Sequence, residues 1–163
     1  MTTDTQTPAA LAHGECVPQA VINILNTVCQ ADAQQDPALD QIVVNSGAML
    51  VVISLVGDVS WSVFLGIPRE TAVQLAAKFA GFEIPFDSAD MGDAVGELGN
   101  MFGGDVKAKL DAMGVRAEIS LPSVTRGEAL HMLFPNESPV EQYTFTTTSG
   151  KLLAGVSAKR AIH

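Results

Sequence analysis

Two carboxylates and a carboxamide, Asp93, Glu97 and Asn100, recur at intervals of four and three residues within the stretch DAVGELGN. At roughly 100° per residue of an α-helix, this spacing sets the three side chains within about 60° of one another on a single face. The chemistry such groups offer is positioning more than attack. A carboxylate with an ordinary pKa of about 4 is a weak base near neutral pH, while a carboxamide donates and accepts hydrogen bonds at once without carrying charge. As structure the trio gains nothing, because two carboxylates at i, i+4 repel slightly. A solvated helix face would account for three polar side chains, but not for the glycines that accompany them.

The helix that must carry them runs from about Ala89 to Met113, capped by Ser88 or Asp87 and closed by Gly114. Met91, Val95, Leu98, Phe102, Val106, Leu110 and Met113 share one side of it and form the predicted core stripe. Gly92, Gly96, Gly99 and Gly103 form a third stripe between core and polar face. Each internal glycine costs about 1 kcal/mol relative to alanine, so close packing or function has to offset them. Bare backbone there lets another element, or a partner protein, come close.

Around this helix the predicted order is helix, strands, two helices, strands. Residues 1–12 read as a loose tail ahead of a single domain, 13–163. Val17, Val21, Ile24, Leu25 and Val28 mark a first amphipathic helix over Val17 to Ala31, with Pro18 in its first turn. Gln41–Val44 and Met49–Val56 are strand-like, and Gly57-Asp58 turns the latter into Val59–Leu65 as a hairpin with one buried face. Trp61 and Phe64 fall on opposite sides of that strand, and Trp61 reads as core or dimer packing rather than a ligand platform. Pro68-Arg-Glu-Thr opens a helix to about Ala80 that Gly81 stops. Strands are expected over Val115–Leu121, near Glu128–Leu133, over Glu141–Thr148 and over Lys151–Ser157, with turns at Pro135-Asn136 and Ser149-Gly150. The sum is an α+β layer with helices on one face of a largely antiparallel sheet.

Eighteen Asp and Glu against nine Lys and Arg give the 163-residue chain a formal charge of −9, and no Lys or Arg falls between Lys78 and Lys107. Nucleic acid and anionic membrane surfaces are thereby disfavoured as partners, since both require a basic footprint. No apolar run approaches a membrane span. Cys16 and Cys29 match no redox or zinc spacing, and His13, His131 and His163 stand apart, so no metal-ligand cluster is expected and the chain reads as cytoplasmic with free thiols.

The pattern Asp93-x3-Glu97-x2-Asn100-x21-Pro122 resembles the signature of the CheC/CheX/FliY family of bacterial chemotaxis phosphatases. GDVSWSVFLGIPRETAVQLAAKFAG is similar to that family's hairpin and following helix, and GELGNMFGGDVKAKL to its active-site helix; the likeness covers roughly residues 13–160. Glu97 is the one acidic residue placed three before an asparagine, so a single site is expected, which is most similar to the CheX members. Asp105-Val106 follows Gly104 where family members often have a small polar residue and alanine.

The resemblance implies a CheX-like (CheC-like) fold that hydrolyses the aspartyl phosphate of a CheY-like response regulator. Asn100 would hold the attacking water beside the phosphoryl group, and Glu97 would pair with the receiver's active-site lysine. Asp93, Gly104 and Pro122 would be partner-contact positions, Pro122 by shaping a loop near the site. No cofactor is implied for this chain, Mg²⁺ being the receiver's. A homodimer through strand pairing is implied as well. A receiver-binding or scaffold module of the same fold without catalysis is the alternative, which the presence of both Glu97 and Asn100 disfavours.

Overall fold

The structure, a computed structural model, describes residues 8–37, 47–130, 133 and 140–159. Three helices, α1 (Pro8–Val28), α2 (Arg69–Ala80) and α3 (Ala89–Ala112), pack on one seven-stranded sheet. Its strands are β1 (Ala33–Gln35), β2 (Ala48–Gly57), β3 (Ser60–Pro68), β4 (Ala117–Ile119), β5 (Ser123–Gly127), β6 (Val140–Thr147) and β7 (Gly150–Lys159). The spatial order is β1-β6-β7-β3-β2-β4, with β5 also on β2, and every pairing is antiparallel. The predicted α+β class and helix placement are therefore present.

Period-two alternation sets the layer. Met49, Val51, Ile53 and Leu55 of β2, and Trp61, Val63, Leu65 and Ile67 of β3, turn toward the helices and are buried in one core with Val17, Val21, Leu75, Leu98 and Phe102. The hairpin differs from expectation in one respect: Phe64, on the opposite face, is only 2% exposed. It is paired in register with Gly155 of β7, where a Cβ would run into its ring.

The helical stops follow the sequence signals. Gly81 takes φ 83° and its N–H bonds the Ala77 carbonyl, and Gly114 takes φ 79° after α3. Met113, expected in the core stripe, is 46% exposed because it is the C-cap, where the chain already turns away.

α1 begins at Pro8, nine residues before the predicted start, so residues 8–12 are helical; residues 1–7 of the expected tail lie outside the described residues. Ala9, Ala10, Leu11 and Ala12 are good helix formers despite their low bulk, and Pro18 is consequently interior to the helix. At the other end Gln30 adopts φ 50°, which stops the helix before Ala31.

Two strand expectations are corrected. The strand read near Glu128–Leu133 is instead Ser123–Gly127, with a bend at Glu128 and Ala129. The strand read over Val115–Leu121 is confined to Ala117–Ile119, for a reason given below. β1 was not anticipated. The expected strand at Gln41–Val44, the turn at Pro135-Asn136 and residues His131 and His163 lie outside the described residues.

Candidate functional site

α3 is held at its start by several independent contacts. The Ser88 hydroxyl accepts from the Met91 N–H at 3.2 Å and donates to the Pro85 carbonyl at 2.6 Å, fixing the N-cap. Arg126 of β5 donates to the Phe86 and Ser88 carbonyls at 3.0 and 2.8 Å. Arg69 stacks over the Phe86 ring at 4.1 Å and reaches Asp87 at 3.6 Å.

Along its length the helix is seated by the core stripe, Met91, Val95, Leu98, Phe102, Val106 and Leu110 all being buried. The glycine stripe resolves into a close approach to the chain's own sheet. A Cβ on Gly99 would overlap the Val51 Cγ2 methyl, one on Gly103 would lie 3.0 Å from Ile53 Cγ2, and one on Gly96 3.4 Å from Val124 Cγ2 and 4.0 Å from Pro122 Cγ. Gly92 has nothing within 4 Å.

The opposite face is where the predicted site residues meet. Asp93 and Glu97 are exposed and Asn100 is half-buried, so carboxylate and carboxamide stand one turn apart on a rigid element. Gly104 continues the face one turn further, and among the described residues a Cβ there would meet nothing within 4 Å. Pro122, half-buried, arrives from the link between β4 and β5 and lies against Gly96, the residue before Glu97.

Among the described residues, the side chains of Asp93, Glu97 and Asn100 have no hydrogen-bond or ion-pair partner. The cations further along α3 are already engaged, Lys107 with Asp111 at 3.1 Å and Lys109 with Asp105 at 2.7 Å. Asp105 also accepts from Asn23 of α1 at 3.1 Å, which ties the two helices together on the far side of α3. The carboxylate of Glu97 thus retains its full capacity to take a cation from outside the chain, and the Asn100 amide its capacity to donate and accept.

The link bearing Pro122 contains a feature that periodicity could not reveal. β4 pairs β2 with Ile119 opposite Leu55, whereas β5 pairs it with Ser123 opposite Val52. Three residues, Ser120, Leu121 and Pro122, therefore oppose two, Ser54 and Ile53: a β-bulge. Ser120 stitches it. Its N–H bonds the Ser54 carbonyl at 2.9 Å, and its hydroxyl accepts from the Ser54 N–H at 3.0 Å and donates to the Leu121 carbonyl at 2.9 Å. With the Ser120 hydroxyl taking a ladder position and Pro122 lacking an N–H, the strand that was expected to continue to Leu121 ends at Ile119. The extra residue also flips the side-chain parity, bringing Pro122, Val124 and Arg126 to the helix side. Proline was the only sequence sign of this.

Among the described residues no group of three His, Cys, Asp or Glu side chains is gathered as a metal site, and no helix is long and apolar enough to cross a membrane. Cys16 and Cys29 are free and buried.

Comparison with known proteins extends these observations. The CheY-P phosphatase CheX of Thermotoga maritima is 32% identical over 85 residues, which make up 51% of this chain and 54% of that protein, so the chain spans about half the length of this curated relative. A putative chemotaxis protein of Desulfovibrio vulgaris Hildenborough superposes with a TM-score of 0.76 at 25% identity, covering 90% of this chain and 96% of that one. CheX of Borrelia burgdorferi, solved as a complex with CheY, BeF3 and Mg²⁺, superposes with a TM-score of 0.72 at 21% identity, covering 91% and 98%. The family model described as chemotaxis phosphatase CheX matches residues 49–146, from β2 through β6 with α3 and the bulge inside it. Since that match takes in more than half of the chain, the protein belongs to the CheX family of chemotaxis phosphatases.

Proposed function

We propose that the chain is a protein phosphatase that removes the phosphoryl group from the aspartyl phosphate of a CheY-like receiver. The observation that carries this reading is the pair Glu97 and Asn100, without a partner among the described residues and one turn apart on the exposed face of a helix whose core stripe and glycines seat it on the sheet. In the reaction the oxygen of water bonds to phosphorus while the bond from phosphorus to the aspartate oxygen breaks, releasing phosphate and regenerating the carboxylate. Little covalent chemistry falls to a second protein, so positioning supplies most of the gain.

Asn100 orients the water: its carbonyl oxygen accepts from it while its amide donates toward the phosphoryl oxygens, without adding charge beside an anion. Glu97 takes the receiver's active-site lysine and sets the pose of the helix. Asp93 makes an outer polar contact, Gly104 leaves clearance for the receiver's backbone one turn beyond Asn100, and Pro122 supports the helix at Gly96 beside Glu97. Mg²⁺ is carried by the receiver, and the reaction takes place in the cytoplasm.

The test is phosphoryl loss from a phosphorylated receiver with wild-type protein, Glu97→Ala and Asn100→Ala. Removing one aimed polar group at a reacting centre costs about 10²–10³ in rate, so the Asn100 variant should be nearly inert though folded. Variants as fast as wild type would end the assignment. A wild-type protein that binds the receiver without accelerating phosphoryl loss would show a non-catalytic docking module instead.

The same reading includes a homodimer through strand pairing. Among the described residues the sheet ends at β1 on one side and at β4 and β5 on the other, and the outer sides of these strands are the edges such a pairing would use. Light scattering that returns a monomer at micromolar concentration would refute it.

A further inference from the structure

The bulge presents a residue that the catalytic reading does not use. Leu121 is the extra residue of the bulge and is 87% exposed. A single exposed leucine ordinarily needs no explanation, but this one is fixed from both sides. Its carbonyl accepts from the Ser120 hydroxyl, which is itself bound to the Ser54 N–H, and its own backbone is restricted by the proline that follows. The ring of that proline lies against Gly96, immediately before Glu97. The backbone on either side of Leu121 is thus tied down, through β2 and through α3, beside the face that bears Glu97 and Asn100. Bulges re-aim side chains next to active sites, and a large apolar side chain carried on a fixed backbone has only its own rotamers left to order when it is covered.

We infer that Leu121 is an apolar anchor for the phosphorylated receiver, seating in an apolar depression at the rim of the receiver's phosphorylation pocket while Glu97 and Asn100 enter it. This rests on the receiver being the partner of the α3 face. The polar face of α3 supplies mainly orientation, its flanking positions being Asp93 and Gly104 and its one methionine, Met101, being half-buried; Leu121 supplies the fully accessible apolar contact of the kind that interfaces concentrate in a few residues. The occupant is the receiver because Pro122, the next residue, lies against α3 at Gly96 beside Glu97, which sets Leu121 at the border of the face that a protein engaging Glu97 and Asn100 approaches.

The experiment measures binding of the full chain to receivers from the same genome loaded with beryllofluoride and Mg²⁺, and phosphoryl loss as receiver concentration is raised, for wild type, Leu121→Ser, Leu121→Met and Asn100→Ala. Burying a leucine is worth enough that Leu121→Ser should weaken binding about 10- to 100-fold, raise KM by the same factor, recover much of the rate at saturating receiver, and leave the melting temperature where it was. Leu121→Met should bind close to wild type. Equal binding by wild type and Leu121→Ser overturns the inference. So does a Leu121→Ser protein whose receiver binding is intact but whose self-association is lost, which would assign the residue to a second copy of the chain. Failure of the catalytic reading is seen separately, as an Asn100→Ala protein that dephosphorylates at the wild-type rate, whatever the affinities show. A wild-type chain that binds none of the loaded receivers overturns both.

Discussion

Gly99→Ala tests how the site helix is seated. The alanine methyl would overlap Val51 Cγ2 and lie 3.1 and 3.3 Å from Val51 Cγ1 and Cβ. Val51 cannot yield easily: it is fully buried, β-branched and stiff at χ1, and paired in register with Leu65 on one side and Val124 on the other. Replacing a helix-interior glycine by alanine gains about 1 kcal/mol, and overpacking a dense core costs about 1–3 kcal/mol. With three atoms of one rigid side chain in conflict the upper part of that range applies, for a net loss of about 1–2 kcal/mol. At roughly 2–4 °C per kcal/mol for a chain of this size, melting should fall by several degrees. Gly92→Ala is the internal control, since nothing lies within 4 Å of its Cβ, and it should hold or raise the melting temperature. The sharper measurement is a double-mutant cycle by urea unfolding. Val51→Ala alone costs about 2 kcal/mol as a cavity, but it removes the methyls that Gly99→Ala strikes, so the pair should cost less than the sum of the singles by about 1 kcal/mol or more. Strict additivity, or a Gly99→Ala protein as stable as wild type, would refute the claim that this glycine sets the distance between α3 and β2.

Three further outcomes follow from the same geometry. Ser88→Ala removes the acceptor for the Met91 N–H and should cost about 1 kcal/mol, read as a fall of roughly 2–4 °C in melting temperature, while Ser88→Asp restores the cap. Burial pushes the Cys29 thiol from its ordinary 9.0 up to about 11; because the folded state then holds its proton where the unfolded chain has released it, stability is complete below pH of about 9 and declines as pH rises toward about 11, a slope that Cys29→Ala should reduce in urea midpoints taken across that window. Gly104→Ala, with open space around its Cβ, should stabilise the fold by up to about 1 kcal/mol yet raise KM for the receiver, because the added methyl occupies the clearance beyond Asn100.

What could be read from the sequence was whatever a period or a stop signal encodes. The core stripe of α3 gave its buried face down to Leu110, and Ser88, Gly81 and Gly114 gave its limits and those of α2, because caps and left-handed turns are local requirements. The alternation through β2 and β3 gave the hairpin. Where apolar periodicity is not the deciding signal the reading failed: α1 extends back through an alanine-rich segment whose helix propensity needs no bulk, Phe64 is buried on the opposite face over Gly155, and Met113 leaves the core because the helix has ended. The polar trio was visible as a shared face, since 3.6-residue periodicity alone dictates it. That the glycines beside it serve the chain's own sheet, through Val51, Ile53 and Val124, could only come from the packed structure.

The bulge shows why the site needs both halves of the chain. In an unbroken ladder from Ala117 to Gly127, parity would have carried Leu121 to the helix side and turned Pro122, Val124 and Arg126 away from it. The one extra residue reverses this. Pro122 and Val124 then meet α3 at Gly96, and Arg126 reaches the Phe86 and Ser88 carbonyls at its start. A register shift of one residue on an edge segment thereby fixes the helix bearing Glu97 and Asn100 at two places, its N-cap Ser88 and Gly96, eight residues apart. Deleting Leu121 should consequently do more harm than any substitution there: it restores regular pairing, withdraws Pro122 and Arg126 from α3 together, and should lower both stability and phosphoryl-transfer rate, whereas Leu121→Ser should touch receiver affinity alone. A deletion variant that kept the wild-type melting temperature and the wild-type rate would mean that the bulge positions nothing.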